Sequence, residues 1–202
     1  MRYYRPLPID EEIEISNRRI IVSKTDTSGR ILYVNDYFCE ITGYETSEVM
    51  GAPHNIIRHP DMPRVIFYLM WKSIENGENI TAAVKNLAKS GKYYWVTTDF
   101  EINRDDMGNI ESYLAFRRAA SPKVIEAVEG LYAELLRIEK KQGMIASLVY
   151  LQGYLNERNV TYGEFMDRVV KPKSLIERFF SMMKSKFYNS SNNYSNEEQE
   201  VA

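Results

Sequence analysis

Apolar residues along this chain switch between the two-residue period of a strand and the three-to-four-residue period of a helix, and each switch marks an element. Ile20-Ile21-Val22 and Ile31-Leu32-Tyr33-Val34 read as two strands joined by turn residues 25–30, a hairpin. Asn35 or Asp36 is placed to cap a short helix carrying Phe38, Ile41 and Tyr44. From residue 65 to 76 the spacing is helical, with two apolar stripes. Val65, Tyr68, Leu69 and Lys72 form one; Phe67, Met70, Trp71 and Ile74 form the other. A helix apolar on nearly two sides is buried on both, one against a sheet and one against something else, such as a ligand. Gly77 is placed to end it. Residues 80–87, 93–102 and 110–117 have strand composition, strongest at Tyr93-Tyr94-Trp95-Val96-Thr97-Thr98. This order predicts an α+β domain, an antiparallel sheet with helices on one face.

After Ser121-Pro122 the pattern turns helical: Val124, Ala127, Val128, Leu131, Leu135 and Ile138 keep three/four spacing. Residues 144–156 and 175–187 continue in that style. The predicted organisation is a leader over 1–18, an α+β domain over 19–120, a helical extension over 121–187, and a disordered Asn/Ser/Glu-rich tail over 188–202. Charge narrows the partners. With 26 basic and 28 acidic residues the net charge is -2, against nucleic acid as a main partner. The single cysteine, Cys39, excludes an internal disulfide, and no zinc-ligand spacing exists. No apolar run approaches the roughly 20 residues that span a bilayer, and no signal region opens the chain, so a cytoplasmic location is expected. Residues 171–187, apolar with basic flanks, suit either packing on the protein's own body or peripheral contact with a membrane or partner.

The densest chemistry lies in His54-Asn55-Ile56-Ile57-Arg58-His59-Pro60-Asp61-Met62-Pro63, which holds both histidines of the chain. Two prolines fix the backbone ahead of the 65–76 helix, and a helix start beside an arginine and imidazoles suits an anion or cofactor. Two histidines without a cysteine partner do not make a zinc site. Haem would need one axial histidine in an apolar pocket, and these two sit among charged residues. A thiol photoadduct would need a cysteine over the ring, and Cys39 lies elsewhere. No dinucleotide fingerprint or acid/base pair points to an enzyme.

The decapeptide, together with Asn35-Asp36, Gly43-Tyr44, Trp71, Val84-Lys85-Asn86 and Tyr94-Trp95-Val96, resembles the PAS domain of the bacterial aerotaxis (energy-taxis) transducer family. The resemblance covers residues 18 to 120. It implies a PAS fold: a five-stranded antiparallel sheet with helices on one face, followed here by the helical extension. Members of that family bind FAD non-covalently, so it also implies FAD. It would place Arg58, His59 and Asp61 at the flavin site, Asn35 and His54 near the pocket, Trp71 facing the ring, and Asn86 and Tyr94 on the sheet side. Ile80 stands where the classical family sequence has a tryptophan. The family's membrane hairpin and methyl-accepting region have no counterpart, so the resemblance implies the sensor half of a split system with a membrane chemotaxis transducer as partner, and a homodimer.

The expected function is therefore a non-enzymatic redox sensor that relays the flavin's oxidation state. A cofactor-free PAS adaptor and a haem sensor are the alternatives. The residues themselves leave both roles open. Trp71 suits ordinary core packing as well as a ring contact, and Arg58, His59 and Asp61 suit a local salt-bridge and capping cluster as well as a ligand cradle.

Overall fold

The computed structural model describes residues 5–170; the amphipathic segment 171–187 and the tail 188–202 lie outside them. Strand β1 (Ile21–Asp26) alternates buried and half-buried positions, as period-two patterning requires, and β2 (Ile31–Val34) returns beside it. The turn between them is organised by Asp26, whose carboxylate accepts from the Ser28 and Arg30 amides and the Ser28 hydroxyl. Asn35 then caps α1 (Asp36–Thr42): its Oδ1 accepts from Phe38 N at 3.0 Å and also from Val22 N, while its Nδ2 donates to Ile20 O. One side chain thereby starts the helix and fastens it to β1. Short α2 (Thr46–Val49) and a 3-10 turn over His54–Ile57 lead to α3 (Arg64–Glu75). Strands β3 (Ala82–Leu87), β4 (Tyr93–Arg104) and β5 (Ile110–Ala119) complete a five-stranded antiparallel sheet of order β2-β1-β5-β4-β3. Ile80, buried, precedes β3 rather than belonging to it.

Alternate residues divide the sheet into two faces. Ser23, Thr25, Asn86, Thr98, Tyr113 and Arg117 share the face covered by α1 and α3. The helical extension, α4 (Pro122–Gln142), α5 (Met144–Asn156) and α6 (Tyr162–Val170), packs at the β3 border of the sheet: α4 and α6 reach the opposite face beside β3, while α5 lies against α3 and α4. Trp95 on that face stacks obliquely on Tyr132 of α4 at 6.4 Å. The Tyr132 hydroxyl donates to Ala83 O of β3 and pairs with the Tyr162 hydroxyl of α6 at 2.7 Å. The extension thus covers the β3–β4 side of the second face, and α6 is an element that the apolar spacing did not announce.

Segment 51–62 crosses the α3 side and touches both outer strands. At one end Ile31 N donates to Ala52 O and Gly51 N to Ile31 O, on the outer edge of β2. At the other, Arg58 bridges to Asn86, and Lys85 N donates to Met62 Sδ, on the outer edge of β3.

The start of α3 is closed from far along the chain. Pro63 occupies its N-cap and offers no side-chain bond. The Glu139 carboxylate of α4 accepts from Arg64 N and Val65 N, each at 2.8 Å. Asp61, placed by sequence to cap this helix, does not.

Candidate functional site

Between α3 and the sheet lies a cavity of about 320 Å³, within the range of small-molecule pockets. The second apolar stripe of α3 lines it: Phe67, Met70, Trp71 and Ile74 all face the space. Opposite stand Val84, Asn86, Thr98, Phe100, Tyr113, Ala115 and Arg117 of the sheet, with Ser23 and Thr25 of β1. Gly29, Pro53, His54, Asn55, Ile57 and Arg58 form the remaining wall.

Trp71 meets Tyr113 edge-on, with ring centroids 5.7 Å apart, a favourable quadrupolar arrangement. The β1–β2 turn is packed against that indole. Gly29 has φ +79, and a Cβ there would lie 3.0 Å from the Trp71 ring, so any other residue would be strained and would have to push the indole aside.

Polar groups on the cavity wall are incompletely satisfied. Among the described residues, the buried side-chain atoms without a hydrogen-bond partner include Asn86 Nδ2 and Thr98 Oγ1, both on this wall, and Tyr94 OH on the same sheet face. Such orphans are uncommon in folded proteins, and a ligand that bonds to them removes their cost. At one end Arg117 is buried, donating to Ser23 Oγ at 2.8 Å and lying 2.9 Å from His54 Nε2. Because the guanidinium only donates, Nε2 of His54 is the accepting nitrogen, which assigns the proton to Nδ1. Burial, helped by the Arg117 charge, holds His54 well below its ordinary value, so it is neutral.

Arg58 connects the cavity to the helical extension. Its guanidinium donates to Met62 O at 3.0 Å and lies 4.3 Å over the Phe67 ring. Burial lowers its pKa, while the Glu139 carboxylate of α4 acts in the opposite sense.

Four of the residues singled out by sequence, His54, Arg58, Trp71 and Asn86, line the cavity. The other four stand apart from its lining. Asn35 is engaged in capping α1. Tyr94 is fully buried further along the same sheet face. His59 is buried, its Nδ1 accepting from Asp61 N and its ring edge-on to Tyr93. Asp61 is largely exposed, 3.5 Å from Lys85 Nζ. Cys39 also lies outside the lining, with Sγ 3.4 Å from Thr46 Oγ1. Sequence reasoning missed Arg117, Ser23, Thr98 and Tyr113. A signal for Arg117 existed: in Arg117-Arg118 of an alternating strand, one arginine has to point inward. Among the described residues no cluster of three metal-ligating side chains occurs, and no helix is long and apolar enough to cross a membrane.

Comparison with known proteins adds a family. The family model described as PAS fold matches residues 31–117. The aerotaxis receptor of Escherichia coli is 33% identical over 152 residues, 75% of this chain and 30% of that protein. A stretch that long necessarily takes in α4 as well as β3, β4 and β5. The nitrogen fixation regulatory protein of Klebsiella pneumoniae is 27% identical over 53% of this chain and 22% of its own length. A solved light-oxygen-voltage domain superposes with a TM-score of 0.49 at 26% identity, covering 55% of this chain and 83% of that one. The chain therefore spans less than a third of the length of these two curated relatives.

Proposed function

Since residues 31–117 of this chain are a PAS domain, we propose that its cavity holds the ring of a flavin, FAD, and that the protein is a redox sensor in signal transduction. The observation that carries this reading is the cavity wall itself. An apolar slot bounded by Phe67, Met70 and Trp71 faces buried Asn86 Nδ2 and Thr98 Oγ1, both without partners. A flat ring with carbonyl and nitrogen atoms along its edges fits that donor set. At about 320 Å³ the cavity suits the ring and not the whole dinucleotide.

When bound, the flavin supplies reversible uptake of electrons and protons at the ring. The chain's own residues do the rest. Asn86 orients the ring from β3 and is bridged directly to Arg58. Arg58 neighbours Glu139, which closes the N-terminus of α3 from α4. A change in hydrogen bonding at Asn86 is therefore felt next to Arg58, whose charge acts on Glu139 of α4, and α4 is the element whose bias a partner reads. In this proposal the partner is a membrane-bound chemotaxis transducer and the protein acts without catalysing a reaction. Haem is disfavoured by geometry, because His54 Nε2 is engaged by Arg117 and Ser23.

The test is to purify the full chain gently, record its visible spectrum, and identify any released chromophore by chromatography. Flavin bands that bleach on reduction, with FAD in the supernatant, are expected. Trp71→Ala and Arg58→Ala are expected to lose the flavin while keeping the wild-type far-ultraviolet circular dichroism. Protein that stays colourless after incubation with FAD overturns the cofactor assignment and leaves an interaction module.

A further inference from the structure

Among the described residues Arg117 is the one fully buried cation on the cavity wall, and no described group neutralises it. It is 4% exposed and sits on β5. The groups that face it come from three elements: Ser23 of β1, His54 of the 3-10 turn, and Tyr94 of β4. None is an anion. His54 is held neutral, and burial raises the Tyr94 hydroxyl far above its ordinary value. Among the described residues no carboxylate pairs with Arg117. Burial lowers its own pKa to about 10, which leaves it charged at neutral pH. A buried charge without a counterion is costly to the fold, and a bound group of opposite charge offsets that cost.

Ser23 Oγ and His54 Nε2 take up two of the guanidinium's five donors, one from each terminal nitrogen. Phe38 closes the far side of His54, ring edge to ring, at 6.5 Å. This fixes the guanidinium plane and leaves its remaining donors for the cavity. The end of the cavity is thus a rigid, desolvated, singly positive wall, and its ligand must present negative charge or strong acceptors there.

We infer that Arg117, held by Ser23 and His54, is the counter-charge for the ring edge that becomes anionic when the flavin is reduced, so the pocket binds reduced flavin more tightly than oxidised. This rests on the flavin reading above. The electron and proton balance requires such a partner: two electrons with one proton leave the ring with one net negative charge. A neutral wall would instead favour uptake of a second proton. Arg117 is 2.8 Å from a hydroxyl and 2.9 Å from an imidazole, both neutral, so its charge is available to the ring undiminished.

The experiment uses the full chain loaded with FAD, its midpoint potential read against a reference dye during dithionite titration, and its affinity for oxidised FAD read by fluorescence. Arg117→Gln is expected to lower the reduced-over-oxidised affinity ratio at least tenfold, moving the potential about 30 mV more negative for a two-electron couple. Arg117→Lys should restore most of that shift, because it keeps the charge. A merely structural role would weaken both oxidation states together and leave the potential unchanged; that result overturns the inference while the flavin assignment stands. Failure of the wild type to bind FAD in either state overturns both. Should Arg117→Gln fail to fold, the wild type decides: its potential should fall by about 30 mV per pH unit between pH 5.5 and 7.5, one proton per two electrons, and about 59 mV per unit overturns the inference.

Discussion

Replacing Glu139 with alanine removes the group that closes the N-terminus of the cavity-facing helix α3, without touching the cavity lining. The Glu139 carboxylate accepts from Arg64 N and Val65 N at 2.8 Å each. These are first-turn amides with no partner inside α3, and Pro63 before them supplies no side-chain bond. A lost cap costs about 1 kcal/mol, and here two amides lose a charged acceptor, so about 2 kcal/mol is expected. For a protein of this size that lowers Tm by about 4–8 °C. Glu139→Gln keeps one acceptor and should lose about half as much. The local readout is amide hydrogen exchange: Arg64 and Val65 should lose protection, while Met70, deeper in α3, changes little. In the flavin-loaded protein, limited proteolysis of the extension should become faster, because α4 has lost a contact with the sensor helix. A Tm within about 1 °C of wild type, together with unchanged protection at both amides, would refute the coupling of α3 to α4 through this side chain.

Three further outcomes follow from the geometry. Gly29→Ala places a Cβ 3.0 Å from the Trp71 ring at φ +79; about 1–2 kcal/mol of destabilisation is expected, read in a urea titration, with altered tryptophan emission and weaker FAD uptake. Tyr132→Phe removes the donor to Ala83 O and leaves the buried Tyr162 hydroxyl unpaired, so about 1–3 kcal/mol should be lost, and a double-mutant cycle with Tyr162→Phe should show strong non-additivity. The pH profile has a defined sign: burial lowers the folded pKa of His54 and of His59 below 6.5, so the unfolded chain takes up protons first. Stability is then full above about pH 6.5 and is lost as pH falls from there through the folded values, by up to about 1.4 kcal/mol per pH unit for each histidine. Urea midpoints measured from pH 8 to 5 should show this, and His54→Gln should flatten the slope; a profile unchanged by that substitution would contradict a neutral His54.

Much of the fold was legible because its elements carry clean local signals. Short apolar runs flanking a turn placed β1 and β2, Asn35 or Asp36 marked the start of α1, and the two stripes of α3 foretold a helix with a second apolar neighbour. Boundaries drifted where tertiary pairing decides them: β4 runs on to Arg104 because β5 pairs with it that far. The cavity was only half legible. Phe67, Met70, Trp71 and Ile74 share a helix face and are visible as a pattern, whereas Ser23, Thr98 and Arg117 lie on three strands and meet only through register, which single-strand patterning does not report. Glu139 was illegible for the same reason. A cap 74 residues away in the chain leaves no local trace.

Segment 51–62 has a consequence for how this protein meets others. It bonds to Ile31 on the outer side of β2 and to Lys85 and Asn86 on the outer side of β3, while Tyr132 takes the Ala83 carbonyl. Edge strands with free amides and carbonyls invite a foreign strand, whether from a partner that extends the sheet or from another copy in an aggregate. Here one segment ties down both borders, and the sheet is closed to extension at Ile31 and along Ala83–Asn86. Exposed side chains such as Ile145, Val149 and Tyr150 of α5 are then what is left for another protein to touch, and loosening the strap would bare backbone groups that pair with any strand.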